Sequence, residues 1–147
     1  MRHNDEIVIE RITADNADVY GLAVRRFRQR PPRDDFLADP SAVGFVALSG
    51  DDVVGWCWGH RLRRPDDAPM LYLHDLRVAD DEQGHGVGRR LIEAFVAHGR
   101  RIGATKMFLS TGADNAIARR LYESLGGGLA PEGPTVNYWF VLDSDAL

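Results

Sequence analysis

One stretch constrains the fold more than any other. Met70-Leu71-Tyr72-Leu73-His74-Asp75-Leu76-Arg77-Val78 reads as a strand, and a glycine-rich turn follows it within five residues. That turn is Gln83-Gly84-His85-Gly86-Val87-Gly88, and it opens a helix running to about Ile102. Val87, Leu91, Ile92, Phe95 and Val96 recur at helical spacing along it, an apolar stripe that must be buried. Strand, glycine-rich turn and helix in succession specify an α/β fold and an anion cradle. The first N–H groups of a helix have no intrahelical partner, the helix dipole adds partial positive charge there, and glycine lets the backbone approach a phosphate closely. A phosphate or pyrophosphate is therefore expected at residues 83–88.

Two familiar phosphate-binding patterns are excluded. A dinucleotide fold requires a third glycine where Arg89 stands, and a P-loop requires Gly-Lys-Ser/Thr where Gly88 precedes Arg89. The cysteine count excludes more: Cys57 is the sole cysteine, so neither an internal disulfide framework nor a cysteine-based zinc cluster can form. Five histidines stand at 3, 60, 74, 85 and 98 without metal-ligand spacing. Cys57 lies in a strand and is expected to pack rather than attack.

Composition bounds the remainder. A chain of 147 residues with 44% apolar and 27% charged residues is expected to form one domain, residues 1–147, with a real core. The net charge of −4 argues against a general nucleic-acid partner. No apolar run reaches the length of a membrane span, and Met1 to Glu6 lacks the apolar region of a secretory signal. A cytoplasmic protein without a membrane partner is the expectation.

The other elements follow from pattern. Ile7 to Ile12 reads as a strand, Thr13 as a helix cap, and Val19, Tyr20, Ala23 and Phe27 as the buried stripe of a helix ending before Pro31-Pro32. Arg33 to Leu37 reads as a short helix. Val43 to Ser49 and Val53 to Arg61 read as a hairpin turning at Gly50-Asp51-Asp52. Its second strand puts Trp56, Trp58 and His60 on one face, as core or as the wall of a pocket. Arg61 to Pro69 reads as a charged loop, the expected place for a mobile rim. Gly103 is placed to stop the long helix. Lys106 to Ser110 reads as a strand, Asn115 to Leu125 as a helix with Ile117, Ala118, Leu121, Tyr122 and Leu125 inward, and Val136 to Leu142 as a last strand. Arg25, Arg26, Arg28, Arg30 and Arg33 form a basic patch, read either as a phosphate or RNA contact or as a solvated face near a helix C-terminus.

At this point the chain resembles a known family. Leu76-Arg77-Val78 followed by Gln83-Gly84-His85-Gly86-Val87-Gly88 is similar to the acetyl-CoA motif of the GCN5-related N-acetyltransferases. Asn115, Ala118, Leu121, Tyr122 and Gly126 match the family's second motif, Asn-x-x-Ala-x-x-Leu-Tyr-x-x-x-Gly. The departures are Gln83 where arginine is commoner and Gly127 where an aromatic usually follows. The resemblance implies a mixed, mostly antiparallel sheet of about six to seven strands with a splayed central pair and about four helices. It implies that acetyl-CoA is held at Leu76, Arg77, Val78, Gln83, Gly84, His85, Gly86, Val87, Gly88, Arg89, Asn115 and Tyr122. The backbone N–H of Leu76 becomes an oxyanion donor and Tyr122 the acid for the departing thiolate. Arg90, Arg119 and Arg120 are further candidates for the cofactor's phosphates.

An amine must lose a proton before it attacks a thioester. Asp75 is the expected base or anchor, and His74 its rival; strand alternation sends the two to opposite faces unless a bulge intervenes. Leu71 to Val78 also resembles the Tyr-x-x-Asp-Leu-x-Val strand of the type I aminoglycoside 3-N-acetyltransferases. That implies a cationic small-molecule amine as acceptor, with Asp51, Asp66, Asp67 and Glu132 as acidic walls. Acetylation of a protein N-terminus, polyamine or other small amine is the alternative, followed by a toxin acting on aminoacyl-tRNA and by a non-catalytic acyl-CoA sensor. Dimers are common in the family resembled, and the sequence leaves a homodimer open.

Overall fold

A computed structural model describes residues 6–143; the expectations on Met1 to Asp5 lie outside it. The described chain forms two compact units, dividing after Gly112.

The first unit holds a mixed sheet of five strands in the order β1-β2-β3-β4-β5, with only the last pair parallel. The strands are β1 (Ile7–Arg11), β2 (Ala42–Ser49), β3 (Asp52–Leu62), β4 (Met70–Val78) and β5 (Lys106–Leu109). Three helices accompany them: α1 (Ala17–Arg28), α2 (Asp34–Ala38) and α3 (Val87–Arg101). Thr13 and Asn16 close a reciprocal capping box over the 3₁₀ turn that leads into α1. Gln29, at φ +51°, ends α1 in the left-handed conformation ahead of Pro31-Pro32.

Alternation sorts the side chains to two faces. Val46 and Trp56, paired across β2 and β3, lie under α1 with Tyr20, Ala23 and Phe27. Phe45 and Cys57, the next pair, face α3: the Phe45 ring meets His98, and Cys57 Sγ donates to the Leu91 carbonyl. Leu91, Ile92 and Phe95 of α3 are fully or almost fully buried there, as their periodicity requires. Gly99 lets α3 settle on β4, since a Cβ at that position would overlap the Leu71 side chain.

The second unit contains α4 (Ala116–Ser124). Asn115 caps it, its side-chain oxygen accepting from Ala118 N at 3.1 Å. Gly126, at φ +97°, and Gly127 close the other end: Gly126 N donates to Glu123 O and Gly127 N to Tyr122 O. This is a Schellman cap. It explains the departure at Gly127, where a Cβ would stand 3.0 Å from the Tyr122 carbonyl oxygen.

Two expectations are corrected. The described residues hold five strands rather than six to seven, because Val136 to Leu142 forms no ladder. Its alternation gives it the capacity to pair, and pairing needs a neighbouring strand edge. Ile117, expected inward, is 73% exposed; Ala118, Leu121, Tyr122 and Leu125 form the half-buried face of α4.

Candidate acceptor and donor sites on one strand

The two edges of β4 differ. Toward β5, β4 is paired only from Met70 to Leu73. Toward β3 it is paired as far as Val78. Ala79 N donates to Val54 O at 2.8 Å, continuing the β3 register by one pair. Bonded and non-bonded pairs alternate in an antiparallel ladder, so Leu76 and Val78 turn their N–H and C=O groups away from β3. They face the side that β5 has left. Gln83 confirms the direction for Val78, reaching its carbonyl from that side with Nε2 at 3.2 Å.

Beyond that open edge lies the glycine turn. Gly84 and Gly86 have φ of +83° and +81°, and nothing stands within 4 Å of a Cβ built on either. Gly86 is the N-cap of α3 and brings no side chain to cap the helix. The first N–H groups of α3 are thus left to a ligand or to water. An extended amide-bearing arm along Leu76–Val78 with a phosphate at 84–88 fits these groups, which is the chemistry of coenzyme A. Arg90 is committed elsewhere, its Nη1 donating to Ile7 O at 2.8 Å. Arg119, in the second unit, donates to Ala113 O at 2.8 Å.

The other face of β4 carries titratable groups. Trp58 pairs with Asp75 and Gly59 with Leu73, so His74 is an extra residue, a β-bulge. The bulge is accommodated by Gly59, where any Cβ would overlap the Tyr72 carbonyl oxygen. The bulge overturns the expectation that the two residues take opposite faces, because His74 and Asp75 both stand on the α1 face. The His74 ring stacks on Trp58 at 4.6 Å and meets His60 at 5.2 Å and Tyr72 at 4.2 Å. Burial lowers its pKa, the neighbouring His60 lowers it further, and Asp75 opposes both. Asp75 Oδ1 accepts from Arg77 Nε at 3.2 Å, while Oδ2 is buried without a hydrogen-bond partner. The side chain of Arg77 is therefore on this face, and its backbone N–H and C=O turn to Trp56 of β3, so Arg77, expected to hold the cofactor, brings no backbone group to the open edge. Burial pushes the Cys57 thiol far up, so it is inert.

A cavity of about 450 Å³ opens on the same face, between α1, α2 and β3. Tyr20, Phe36, Trp56, Trp58 and His60 form its walls, so the tryptophan face is both core and pocket wall. Arg28, Arg30 and Arg33 stand at it with Asp35 and Asp39. The basic patch, ambiguous in the sequence, thus has three of its arginines at a cavity; their i, i+2, i+5 spacing around the end of α1 was the available signal. Of the expected acidic walls in this unit, Asp51, Asp66 and Asp67 do not line the cavity: Asp51 lies in the β2–β3 turn, and Asp67 holds Arg64 and the Ala68 N–H in the loop before β4; Glu132 belongs to the second unit. Asn115 and Tyr122 belong to the second unit. Among the described residues no cluster could hold a metal ion, and no helix is long and apolar enough to cross a membrane.

The sequence profile of the acetyltransferase (GNAT) family matches residues 9–127. The chain belongs to that family. The matched span holds the open edge of β4, the glycine turn and both sequence motifs, and the family's acyl donor is acetyl-CoA. This GNAT chain is 40% identical over 83 residues to N-alpha-acetyltransferase 40 of Saccharomyces cerevisiae, covering 48% of this chain and 29% of that protein. It is 34% identical over 90 residues to the mycothiol acetyltransferase of Geodermatophilus obscurus, covering 60% and 29%. The GNAT chain thus spans about three-tenths of the length of these relatives. Among solved structures, its fold is similar to the aminoglycoside acetyltransferase meta-AAC0020 from an uncultured soil metagenomic sample, with a TM-score of 0.82 at 22% identity over 92% and 96% of the chains. It is also similar to the aminoglycoside N-acetyltransferase AAC(6')-Iy in complex with CoA, with a TM-score of 0.75 at 18% identity over 97% and 99%.

Proposed function

We propose that the chain is an N-acetyltransferase that moves acetyl from acetyl-CoA to a primary amine. One observation carries the reading: Leu76 and Val78 present backbone groups that no strand pairs, with only the Val78 carbonyl met by Gln83, on the edge of β4 that β5 leaves, directly before an uncapped helix N-terminus. Acetyl-CoA supplies an acyl carbon activated as a thioester. Leu76, Val78 and the turn Gln83-Gly84-His85-Gly86-Val87-Gly88 hold it, with Arg89 following in α3. The Leu76 N–H is the donor for negative charge on the acyl oxygen.

Asp75 Oδ2 takes the proton from the attacking amine. A buried carboxylate oxygen with no partner is costly unless something donates to it, and an amine is such a donor. His74, its pKa lowered by partial desolvation and by His60, stands beside it as a second proton acceptor. In the second unit, Tyr122 Oη is assigned the proton for the leaving sulfur, and Asn115 a place in holding the cofactor. Both assignments rest on the Asn115-to-Gly126 motif.

The aminoglycoside amine expected from the β4 sequence is supported by the fold neighbours, which are too distant in sequence to carry a substrate. The arginines at the cavity on the acceptor face oppose it.

The test is purified chain with acetyl-CoA and a panel of amines, thiol release being the readout. Amine-dependent release is expected. Calorimetric binding of acetyl-CoA without release for any amine would make the chain an acyl-CoA sensor instead.

A further inference from the structure

We infer that the acceptor is an amine that also carries a carboxylate on a compact apolar body, seated in the cavity between α1, α2 and β3. The inference rests on the N-acetyltransferase reading and goes further by naming the acceptor's second functional group.

Three orphaned atoms define the chemistry. Trp56 Nε1 and Trp58 Nε1 are buried with no hydrogen-bond partner, and both indoles are walls of the cavity. Each is a donor only, so what completes it must be an acceptor, such as a carboxylate or carbonyl oxygen. Asp75 Oδ2 is the third, an acceptor that needs a donor. Asp75 does not itself line the cavity; it is paired with the wall residue Trp58 across the strands, so the acceptor's amine must reach past that wall to meet it. One small molecule with an amine at one end and a carboxylate at the other satisfies both kinds of orphan. A polyamine with no acceptor oxygen satisfies only Asp75, and an aminoglycoside offers the indoles neutral hydroxyls but no carboxylate.

The charge around the cavity agrees. Its two carboxylates are already engaged: Asp35 by a two-pronged contact with Arg33 at 3.1 and 3.2 Å, and Asp39 by Ser41 at 2.7 and 2.9 Å with His60 at 3.5 Å. Arg28 and Arg30 stand at the same cavity on exposed positions at the end of α1. The field at the opening therefore attracts anions and repels an aminoglycoside. The volume, about 450 Å³, and the walls of Tyr20, Phe36 and Trp58 suit an apolar body of amino-acid or dipeptide size.

The experiment compares matched acceptors: amino acids and dipeptides as free acids and as their C-terminal amides, beside kanamycin and spermidine. Turnover is read by thiol release with the full chain and acetyl-CoA. Binding is read separately from tryptophan fluorescence in a Trp139→Phe background, since Trp139 is 91% exposed and would mask Trp56 and Trp58. Free acids are expected to exceed their amides in kcat/KM. The double variant Arg28→Gln, Arg30→Gln is expected to shrink that ratio by roughly three- to tenfold, the range for two solvent-exposed charge contacts, with acetyl-CoA affinity unchanged. Trp58→Phe, which keeps the ring and removes the N–H, should lower the ratio as well. Amides or kanamycin preferred over the acids, or a ratio indifferent to both variants, would overturn the inference while leaving an acetyltransferase. If no amine is turned over, the N-acetyltransferase reading falls, and the fluorescence titration still decides whether the cavity prefers acids to amides.

Discussion

Arg77 and Asp75 sit two residues apart on β4 and are joined side by side: Arg77 Nε donates to Asp75 Oδ1 at 3.2 Å while its Nη1 donates to the Phe27 carbonyl at 3.2 Å. The guanidinium therefore ties the carboxylate to the last turn of α1. Only an arginine, with donors in a rigid fork, spans both acceptors at once. The Asp75 carboxylate is left with one oxygen fixed and one free of protein partners.

Breaking that tie should affect chemistry more than cofactor binding. Asp75→Asn is expected to lower kcat by about 10²–10⁴-fold, the usual contribution of a general base, with KM for acetyl-CoA little changed. Arg77→Leu should lower kcat less and destabilise the fold by about 1 kcal/mol, since the pair is partly exposed. Arg77→Lys should recover the stability better than the rate. Steady-state kinetics and urea melts on the three variants check this; a normal kcat in Asp75→Asn would remove Asp75 from the reaction.

Gly86→Val tests the cradle. The position has φ of +81° with nothing within 4 Å of an added Cβ, so the protein itself has room for a side chain. A β-branched residue should cost about 1–2 kcal/mol of backbone strain and occupy the space a phosphate needs. Calorimetry should show acetyl-CoA affinity falling well beyond the loss seen in a thermal melt. A folded variant with wild-type affinity would exclude residues 84–88 as the phosphate site.

Gly59→Ala should be among the most damaging small substitutions in the chain. Its Cβ would overlap the Tyr72 carbonyl oxygen and crowd the Phe95 ring, and both lie in packed surroundings. A loss of more than about 3 kcal/mol is expected, in the range reserved for overpacking and broken ladders. Urea denaturation measures the stability. Because the bulge at His74 depends on this glycine, any folded remainder should also have a lowered kcat.

Stability should fall as pH drops through the mid-sixes. Burial depresses the folded pKa of both His74 and His98 below the ordinary 6.5, with His60 adding to the effect at His74 and Arg11 and Arg101 at His98. As pH falls through 6.5 the unfolded chain takes up protons that the folded chain still refuses, so unfolding becomes easier. The loss levels off below the folded pKa values. Urea midpoints measured from pH 8 to pH 5 should trace this, and His98→Gln should flatten the curve. A midpoint that rises on acidification would contradict the assignment.

Much of this was legible in the sequence because it is local. The nine residues of β4, Met70–Val78, are rich in apolar and strand-forming side chains and bounded by proline before and an acidic turn after, and the structure reproduces their limits. The stripe of α3 and its glycine N-terminus were legible for the same reason: helical period and positive φ are written in neighbouring residues. Asp75 was named from its place on the strand and from the resemblance of Leu71 to Val78 to a known family's strand, and its role remains the proposal made above.

What the sequence could not supply depends on register and on residues far apart. His74 and Asp75 share a face only because Gly59, on another strand, leaves room for a bulge. The cavity joins Tyr20 and Arg28 of α1 to Phe36 of α2 and Trp58 of β3, a set with no linear motif. Val136 to Leu142 shows the converse, since its alternation is real and its residues stay 63–91% exposed. By itself the sequence determined the family, the positive-φ glycine turn and the elements of the first unit. Tertiary structure alone decided the faces and the cavity, because a side chain's face follows from strand pairing, and pairing is a relation between segments.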